Sequence, residues 1–401
     1  MKGPEGETVA ATTPARSLAR AGPAVVFGAW STRYDFGPLH PLTPRRFGPA
    51  IDLLRAIGAE EFIEPRVAGD AELERIHDPA YLEIVRSFSE DPAGPPRAGI
   101  GPGDCPAFPG MHEASAAVAG GSLDAVASIL DGGAEHAFHP GGGLHHAMPG
   151  RASGFCIYND VALGVARARD ASHRILYVDL DVHHGDGTEA CFYNDPQVLT
   201  VSIHETGLAL FPGTGFVEES GGPDAEGTAV NVPLLPGSGD ASWCSAVETV
   251  VPALADAWRP TFLVTQHGCD SHALDPLAHQ RVTTAAYWRA DRLMDELAHH
   301  YCEGRWLATG GGGYDVYRVI PRAWSLVWLA QAHREPPRSI PTDWRERWSE
   351  EADRRHQAPP PDHFLDPPDL VTPDPEEIVS ENRRTVELAL SRFRRLSRRA
   401  E

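Results

Sequence analysis

Asp179, Asp181 and His183 stand at alternate positions in the run DLDVHHGDG (179–187), after the apolar stretch Ile175–Val178 and interleaved with Leu180 and Val182. Period-two alternation puts polar side chains on one face of an extended segment. An Asp-x-His pair at a strand end is a compact oxygen–nitrogen half-site for a divalent metal, and zinc accepts both donor types. Catalytic zinc usually takes three protein ligands and leaves one position open. The segment TQHGCDSHALDP (265–276) offers Asp270 as the third, with His267, His272 and Asp275 as competitors. His145 and His146, after the glycine run of GGGLHHA (141–147), are candidates for general acid–base work. Each would need its own carboxylate to orient it, and Asp179 and Asp186 are available. Tyr314 closes TGGGGY (309–314) and brings a neutral phenol suited to holding an oxyanion. That glycine run lacks the Lys-Ser/Thr of a P-loop and the spacing of a dinucleotide fingerprint. Together these residues supply what metal-assisted amide hydrolysis needs.

The elements that must position them alternate in type. The sequence predicts strands over Val25–Ala29, Ala134–His139, Arg174–Val182, Val198–His204, Thr261–Gln266 and Trp306–Thr309. It predicts helices over Pro44–Gly58, Pro79–Phe88, Met111–Leu130, Asn159–Ala168, Ser242–Trp258, Thr283–Tyr301 and Val319–His333. Such alternation implies an α/β fold, a single parallel β-sheet flanked by helices on both faces. The polar candidates fall at or just after strand ends, where ligands bind in open α/β sheets. Residues 1–22 read as a disordered tail and 23–335 as the catalytic domain. Residues 336–401 read as a Pro-rich extension with a terminal amphipathic helix over 375–400, marked by Ile378, Val386, Leu390, Phe393 and Leu396. The basic end of that helix, Arg392 to Arg399, suits its dipole.

Composition excludes several classes. A formal charge of −21 argues against direct nucleic-acid binding, although it would attract cationic partners. Lys2 is the sole lysine. The six cysteines are scattered with no Cys-x-x-Cys, as expected of a reduced cytoplasmic protein. No apolar run has signal-peptide or membrane-span length. Oligomeric state is not legible.

PGGGLHHA, GFCIYND, VDLDVHHGDG, FPGTG, QHGCDSHALDP and TGGGGYD occur in the order found in the zinc-dependent histone deacetylase superfamily. The resemblance is nearest to its class I-like bacterial branch, the acetoin-utilisation type, and covers about residues 27–332. It implies the arginase–deacetylase type of fold and one catalytic Zn2+ on Asp181, His183 and Asp270. His146 then matches the general base and His145 its electrostatic partner, backed by Asp186 and Asp179, and Tyr314 matches the tyrosine that polarises the carbonyl. Gly154 and Phe155 match one wall of an acyl-lysine channel and Phe211 the other, with Leu277 and Asp104 at the rim and Gly312 also against the substrate. A structural K+ is implied at Asp179, Asp181, His183, Ser202 and Ile203, and a second, remoter cation near Phe192, Asp195 and Val198. His267 and Cys269 depart from the pattern of eukaryotic class I members. The implied activity is removal of acetyl or acyl groups from lysine in an acetylated protein or peptide. Acetylpolyamine hydrolysis is the alternative, although that branch reads PPGHHA where this chain reads PGGGLHHA. A non-catalytic acyl-lysine binder would be expected to lack Tyr314, His146 or a zinc ligand, and all are present.

Overall fold

The computed structural model describes residues 22–400, with side chains through residue 396. The strands are β1 (Ala24–Val26), β2 (Phe62–Ile63), β3 (His136–His139), β4 (Ile175–Asp179), β5 (Val198–Glu205), β6 (Ala229–Leu234), β7 (Phe262–Gln266) and β8 (Trp306–Thr309). They form one all-parallel sheet in the order β2-β1-β3-β8-β7-β4-β5-β6. The helices are α1 (Phe47–Ala56), α2 (Asp70–Leu73), α3 (Pro79–Glu90), α4 (Met111–Leu130), α5 (Asp160–Asp170), α6 (Asp186–Phe192), α7 (Asp240–Trp258), α8 (Thr284–Cys302), α9 (Ile320–Gln331), α10 (Thr342–Arg354) and α11 (Glu376–Ala400).

Strand β4 shows how the sequence fills both faces. Leu176 and Val178 join the core under α7, α8 and α9. Ile175 and Tyr177, of opposite parity, join the core under α4 and α5. Every residue of the strand is buried, as a parallel strand covered on both faces requires. Among the described residues no helix is long and apolar enough to cross a membrane.

The structure corrects the elements in several places. The strand expected through Val182 ends at Asp179, so Asp181 and His183 lie in the loop beyond it. The reason is local. Asp179 accepts from the Asp181 amide at 3.2 Å, and Asp181 accepts from the His183 amide at 3.0 Å. Short Asp side chains here take backbone donors from the ladder. The strand expected from Val25 stops at Val26, and Ala29–Thr32 forms a 3-10 turn. Strands β2 and β6 were not expected: β2 is two residues long, and β6 carries Asn231 and Pro233. Helix α6 starts inside the DLDVHHGDG motif, where glycines mask its pattern.

The C-terminal segment holds more structure than its Pro content suggests. Helix α10 docks on α1, with the indoles of Trp344 and Trp348 donating to the Pro49 carbonyl and to Asp52, each at 2.9 Å. Helix α11 lies against α7 and β6 and buries Val386, Ala389, Leu390, Phe393 and Leu396. Asn382, also buried, accepts from the Leu235 amide at 2.9 Å and donates to Ser238 Oγ at 2.7 Å. The tail expected over 1–22 lies, apart from Gly22, outside the described residues, as do the side chains of Arg398 and Arg399.

Because α11 is docked through a buried apolar stripe, Leu390→Ala is expected to lower unfolding free energy by about 2–4 kcal/mol, the usual cost of truncating a buried leucine. Urea denaturation measures this, and an unchanged midpoint would show that the helix does not contribute to the folded unit.

Candidate active site

Four neighbouring strands deliver the candidate residues to one end of the sheet. The loop after β3 carries His145 and His146, and β4 with its following loop carries Asp179, Asp181 and His183. The loop after β7 carries Asp270, and the loop after β8 carries Gly312 and Tyr314.

His183 Nδ1 lies 3.1 Å from Asp181 Oδ1 and 3.1 Å from Asp270 Oδ2. One donor atom from each of the three residues falls within 4.8 Å of the others. The carboxylates are fixed from behind. Asp181 Oδ2 accepts from the Gly312 amide and from Gln266 Nε2, both at 2.8 Å, and Asp270 Oδ1 accepts from the Val182 amide at 3.0 Å. Gly312 must lack a side chain, because a Cβ there would stand 1.9 Å from Asp270 Oδ2.

The electrostatics ask for a cation. Burial and the neighbouring Asp181 charge push the Asp270 carboxyl up. Burial also acts to raise Asp181, but the His145 charge and the His183 hydrogen bond hold it well below the usual range. Burial would lower His183, yet its bonds to the two carboxylates raise it to about 10. Two buried carboxylates and one imidazole match the oxygen–nitrogen donor set of a divalent ion, whose charge the two carboxylates would balance once His183 gives up its proton to bind.

Each histidine of the pair has its own carboxylate. His145 Nδ1 lies 2.8 Å from Asp179 Oδ2, and His146 Nδ1 lies 2.6 Å from Asp186 Oδ1. The two Nε2 atoms face each other at 3.1 Å. Their environments separate them. Burial disfavours charge on His145, but Asp179 and Asp181 outweigh it and raise the group to about 9. Burial and the His145 charge lower His146 to about 4, with Asp186 pulling the other way.

A cavity of about 230 Å3 opens over these groups. Asp104, Gly154, Phe155, Phe211, Leu277, Gly312 and Tyr314 all line it, as do His145, His146, Asp181 and His183. Gly154 has φ +50, and a Cβ there would stand 2.4 Å from His146 Cδ2 and 2.9 Å from Phe211 Cε1. Phe211 packs edge-on to His146 with ring centroids 5.0 Å apart, and Phe155 edge-on to Tyr314 at 6.0 Å. Burial and the nearby Asp270 charge raise the Tyr314 phenol well above its ordinary value, so it stays a donor. Asp179 and Ser202 are register partners on β4 and β5, with Ile203 next along β5. Asp195, near the remoter cation position, pairs instead with Arg169 Nη1 at 2.5 Å.

The competitors for the third ligand point elsewhere. His267 Nδ1 lies 3.0 Å from Asp291 and its Nε2 2.6 Å from Thr265 Oγ1. His272 Nε2 lies 2.8 Å from Asp366, and Asp275 accepts from the Tyr314 amide at 2.8 Å.

A family model described as the histone deacetylase domain matches residues 40–331. The chain belongs to the histone deacetylase family. Among curated relatives of this deacetylase, the acetoin utilization protein AcuC of Bacillus subtilis is 40% identical over 370 residues, covering 90% of this chain and 95% of its own. The AcuC of Staphylococcus xylosus is 38% identical over 324 residues, covering 79% and 84%. The crystal structure of an HDAC homolog from Aquifex aeolicus superposes with a TM-score of 0.78 at 28% identity, over 92% of this chain and 99% of that one. A crystal structure of an HDAC homolog complexed with SAHA gives the same values. The fold is therefore of the arginase–deacetylase type expected from the motifs.

Sequence reasoning missed several groups that hold this deacetylase's site together. Arg46, buried, donates to the Gly311 carbonyl at 2.8 Å. Asn159 caps α5 and donates to the His145 and Ala147 carbonyls at 3.2 and 3.1 Å. Asp160 accepts from the Gly143 and Leu144 amides at 3.1 and 2.8 Å. Leu42, Leu144 and Leu210 add apolar lining. The N-cap Asn159 and the first-turn acid Asp160 were visible in GFCIYND; nothing in the sequence marks Arg46 or Leu42.

Gly154→Ala is expected to reduce kcat/KM by about 100-fold, because the new methyl displaces the His146 ring. The melting temperature is expected to fall as well, because the methyl overpacks a buried ring at a positive-φ position. Wild-type kinetics in this variant would show that the close approach at Gly154 is irrelevant to turnover.

Proposed function

We propose that this chain is a zinc-dependent protein lysine deacetylase, hydrolysing the amide of ε-acetyl-lysine to acetate and a free amine. The observation that carries the reading is the meeting, at the base of one apolar-walled cavity, of the Asp181–His183–Asp270 donor set and the carboxylate-backed pair His145–His146.

Those three residues would hold the ion, which when bound supplies Lewis-acid polarisation of the acyl carbonyl and acidifies a water. The chain's own groups do the rest. Phe155 and Phe211, with Leu277 nearer the rim, would flank the neutral acyl-lysine stem and exclude water from it. Asp104, exposed at the mouth, would hold the substrate backbone. His146 is the neutral partner of the pair, so its Nε2 would take the proton from the attacking water. Asp186 fixes Nδ1 on the opposite edge of that ring. His145, charged beside Asp179, would stabilise negative charge as it develops, and the pair can return a proton to the departing lysine nitrogen. Tyr314, kept protonated, would donate to the oxyanion. The product ammonium would lose hydration in so apolar a slot, which favours its release.

A structural K+ belongs to the same reading, on Asp179, Asp181, His183, Ser202 and Ile203. Catalysis would reside in 23–335, with 336–401 as an appended extension. All six cysteines are free thiols, which supports a reducing, cytoplasmic setting.

A panel of acetylated peptides, longer-acyl peptides and acetylpolyamines, compared by kcat/KM, tests the substrate. Acetyl-lysine peptides are expected to lead. A preference for acetylpolyamines would favour the second reading, to which the −21 charge lends support. Tyr314→Phe is expected to lower kcat by about 10²–10³ while zinc content, read by elemental analysis, stays at the wild-type level. Retention of wild-type kcat would make the phenol merely structural.

A further inference from the structure

At the other end of the sheet, His136 opens β3, Asp295 and His299 lie one turn apart on α8, and His333 follows the C-terminus of α9. Their donor atoms converge. Asp295 Oδ1 lies 3.6 Å from His136 Nε2, 3.4 Å from His299 Nε2 and 3.3 Å from His333 Nε2. His299 Nε2 and His333 Nε2 are 3.0 Å apart. One ligand atom from each of the four residues lies within 4.8 Å of the others. Around a tetrahedral zinc with bonds of about 2.0–2.1 Å, neighbouring ligand atoms are separated by about 3.3 Å. Four of the six edges here fall close to that length. The edges of the catalytic triplet, 3.1 and 3.1 Å, are of the same kind.

We propose that His136, Asp295, His299 and His333 form a second transition-metal site, a closed three-histidine, one-carboxylate centre for zinc. A hydrogen bond between the His299 and His333 rings accounts for the 3.0 Å contact, and one from His333 to Asp295 for the 3.3 Å contact. Such bonds need only two partners each, whereas here four ligand atoms, the buried His136 Nε2 among them, share one small volume. The surroundings fit an ion as well. His136 is buried at the floor, its ring edge-on to Trp306 at 5.7 Å, while His299 and His333 are partly exposed and leave a path from solvent. On the far side of the His299 ring, Glu135 stands 3.9 Å from Nδ1, beyond direct hydrogen-bond reach but adding negative charge beside the cluster. Four protein ligands leave no open position, so the centre is structural: it ties the start of a sheet strand to α8 and to the end of α9. Imidazole nitrogens with one carboxylate suit Zn2+, with Ni2+, Co2+ and Cu2+ as chemically similar occupants.

The test uses tag-free full-length protein, stripped with chelator, reloaded with Zn2+ and desalted. Elemental analysis should find two equivalents per chain. The doubly substituted His299→Ala/His333→Ala protein should lose one equivalent and keep its deacetylation rate. Asp181→Ala/Asp270→Ala should lose the other and all activity. Co2+ added to that second protein should give the intense visible absorption of a tetrahedral centre, abolished when all four substitutions are combined. Because His299 and His333 sit at the surface, their replacement is expected to keep the overall fold while lowering its melting temperature, which circular dichroism checks. Loss of one equivalent from His299→Ala/His333→Ala supports the site whatever becomes of the catalytic ion. An unchanged metal count in that protein, or half-saturation of the Asp181→Ala/Asp270→Ala protein only above about 100 µM Zn2+, far weaker than a four-ligand centre should bind, would overturn it.

Discussion

Buried negative charge is the constraint around which this protein is arranged. Asp179, Asp181, Asp186 and Asp270 are all removed from solvent at the carboxyl ends of β4 and β7 or in the adjoining loop. An isolated carboxylate in such a place would bind a proton and lose its charge. Here each carboxylate instead meets polar partners: His145, His146 and His183, the amides of Val182 and Gly312, and the side-chain amide of Gln266. Asp270 is the carboxylate these donors compensate least, since its own burial and the neighbouring Asp181 charge raise its proton affinity. The irregular, glycine-rich loops follow from this. Backbone N–H groups can reach a carboxylate only where side chains do not intervene.

Sheet order turns scattered motifs into one site. β3, β8, β7 and β4 are consecutive neighbours in the sheet, although their sequence positions span residues 136–309. Parallel pairing brings all four carboxyl ends to the same edge, and the loops leaving them meet there. The supports beneath are equally non-local. Asn159 at the start of α5 holds the carbonyls of the histidine loop, and Arg46 just before α1 holds the loop before Tyr314. A side chain on one element thus sets the position of chemistry on another.

The parts of this arrangement that were legible in the sequence are those written in local pattern. Apolar runs such as Ile175–Val178 and Phe262–Val264 announced buried strands, and the motif order announced the fold. Where pattern and structure part, competing local bonds are the reason: Asp179 and Asp181 cap their own backbone and end β4 earlier than alternation implies. Edge strands were illegible because they are short or interrupted, as in β2 and in the Asn231–Pro233 segment of β6. Arg46 could not be found because its partner, the Gly311 carbonyl, is a backbone atom 265 residues away. The His136–Asp295–His299–His333 cluster was invisible for the same reason, its members being drawn together by the packing of α8 against α9 and of α9 on β3.

The terminal helix has a bearing on how copies of this chain meet. An open parallel sheet ends in strands whose outer backbone groups can template another strand. At one end β2 is only two residues long and offers little to pair with. At the other, β6 is six residues long and would be the vulnerable margin. Pro233 removes one amide from it, and α11 lies against it along the Val386–Phe393 stripe. The last twenty-five described residues therefore act as a hem on the sheet, and a chain shortened before Glu376 would carry an unguarded strand edge prone to self-association.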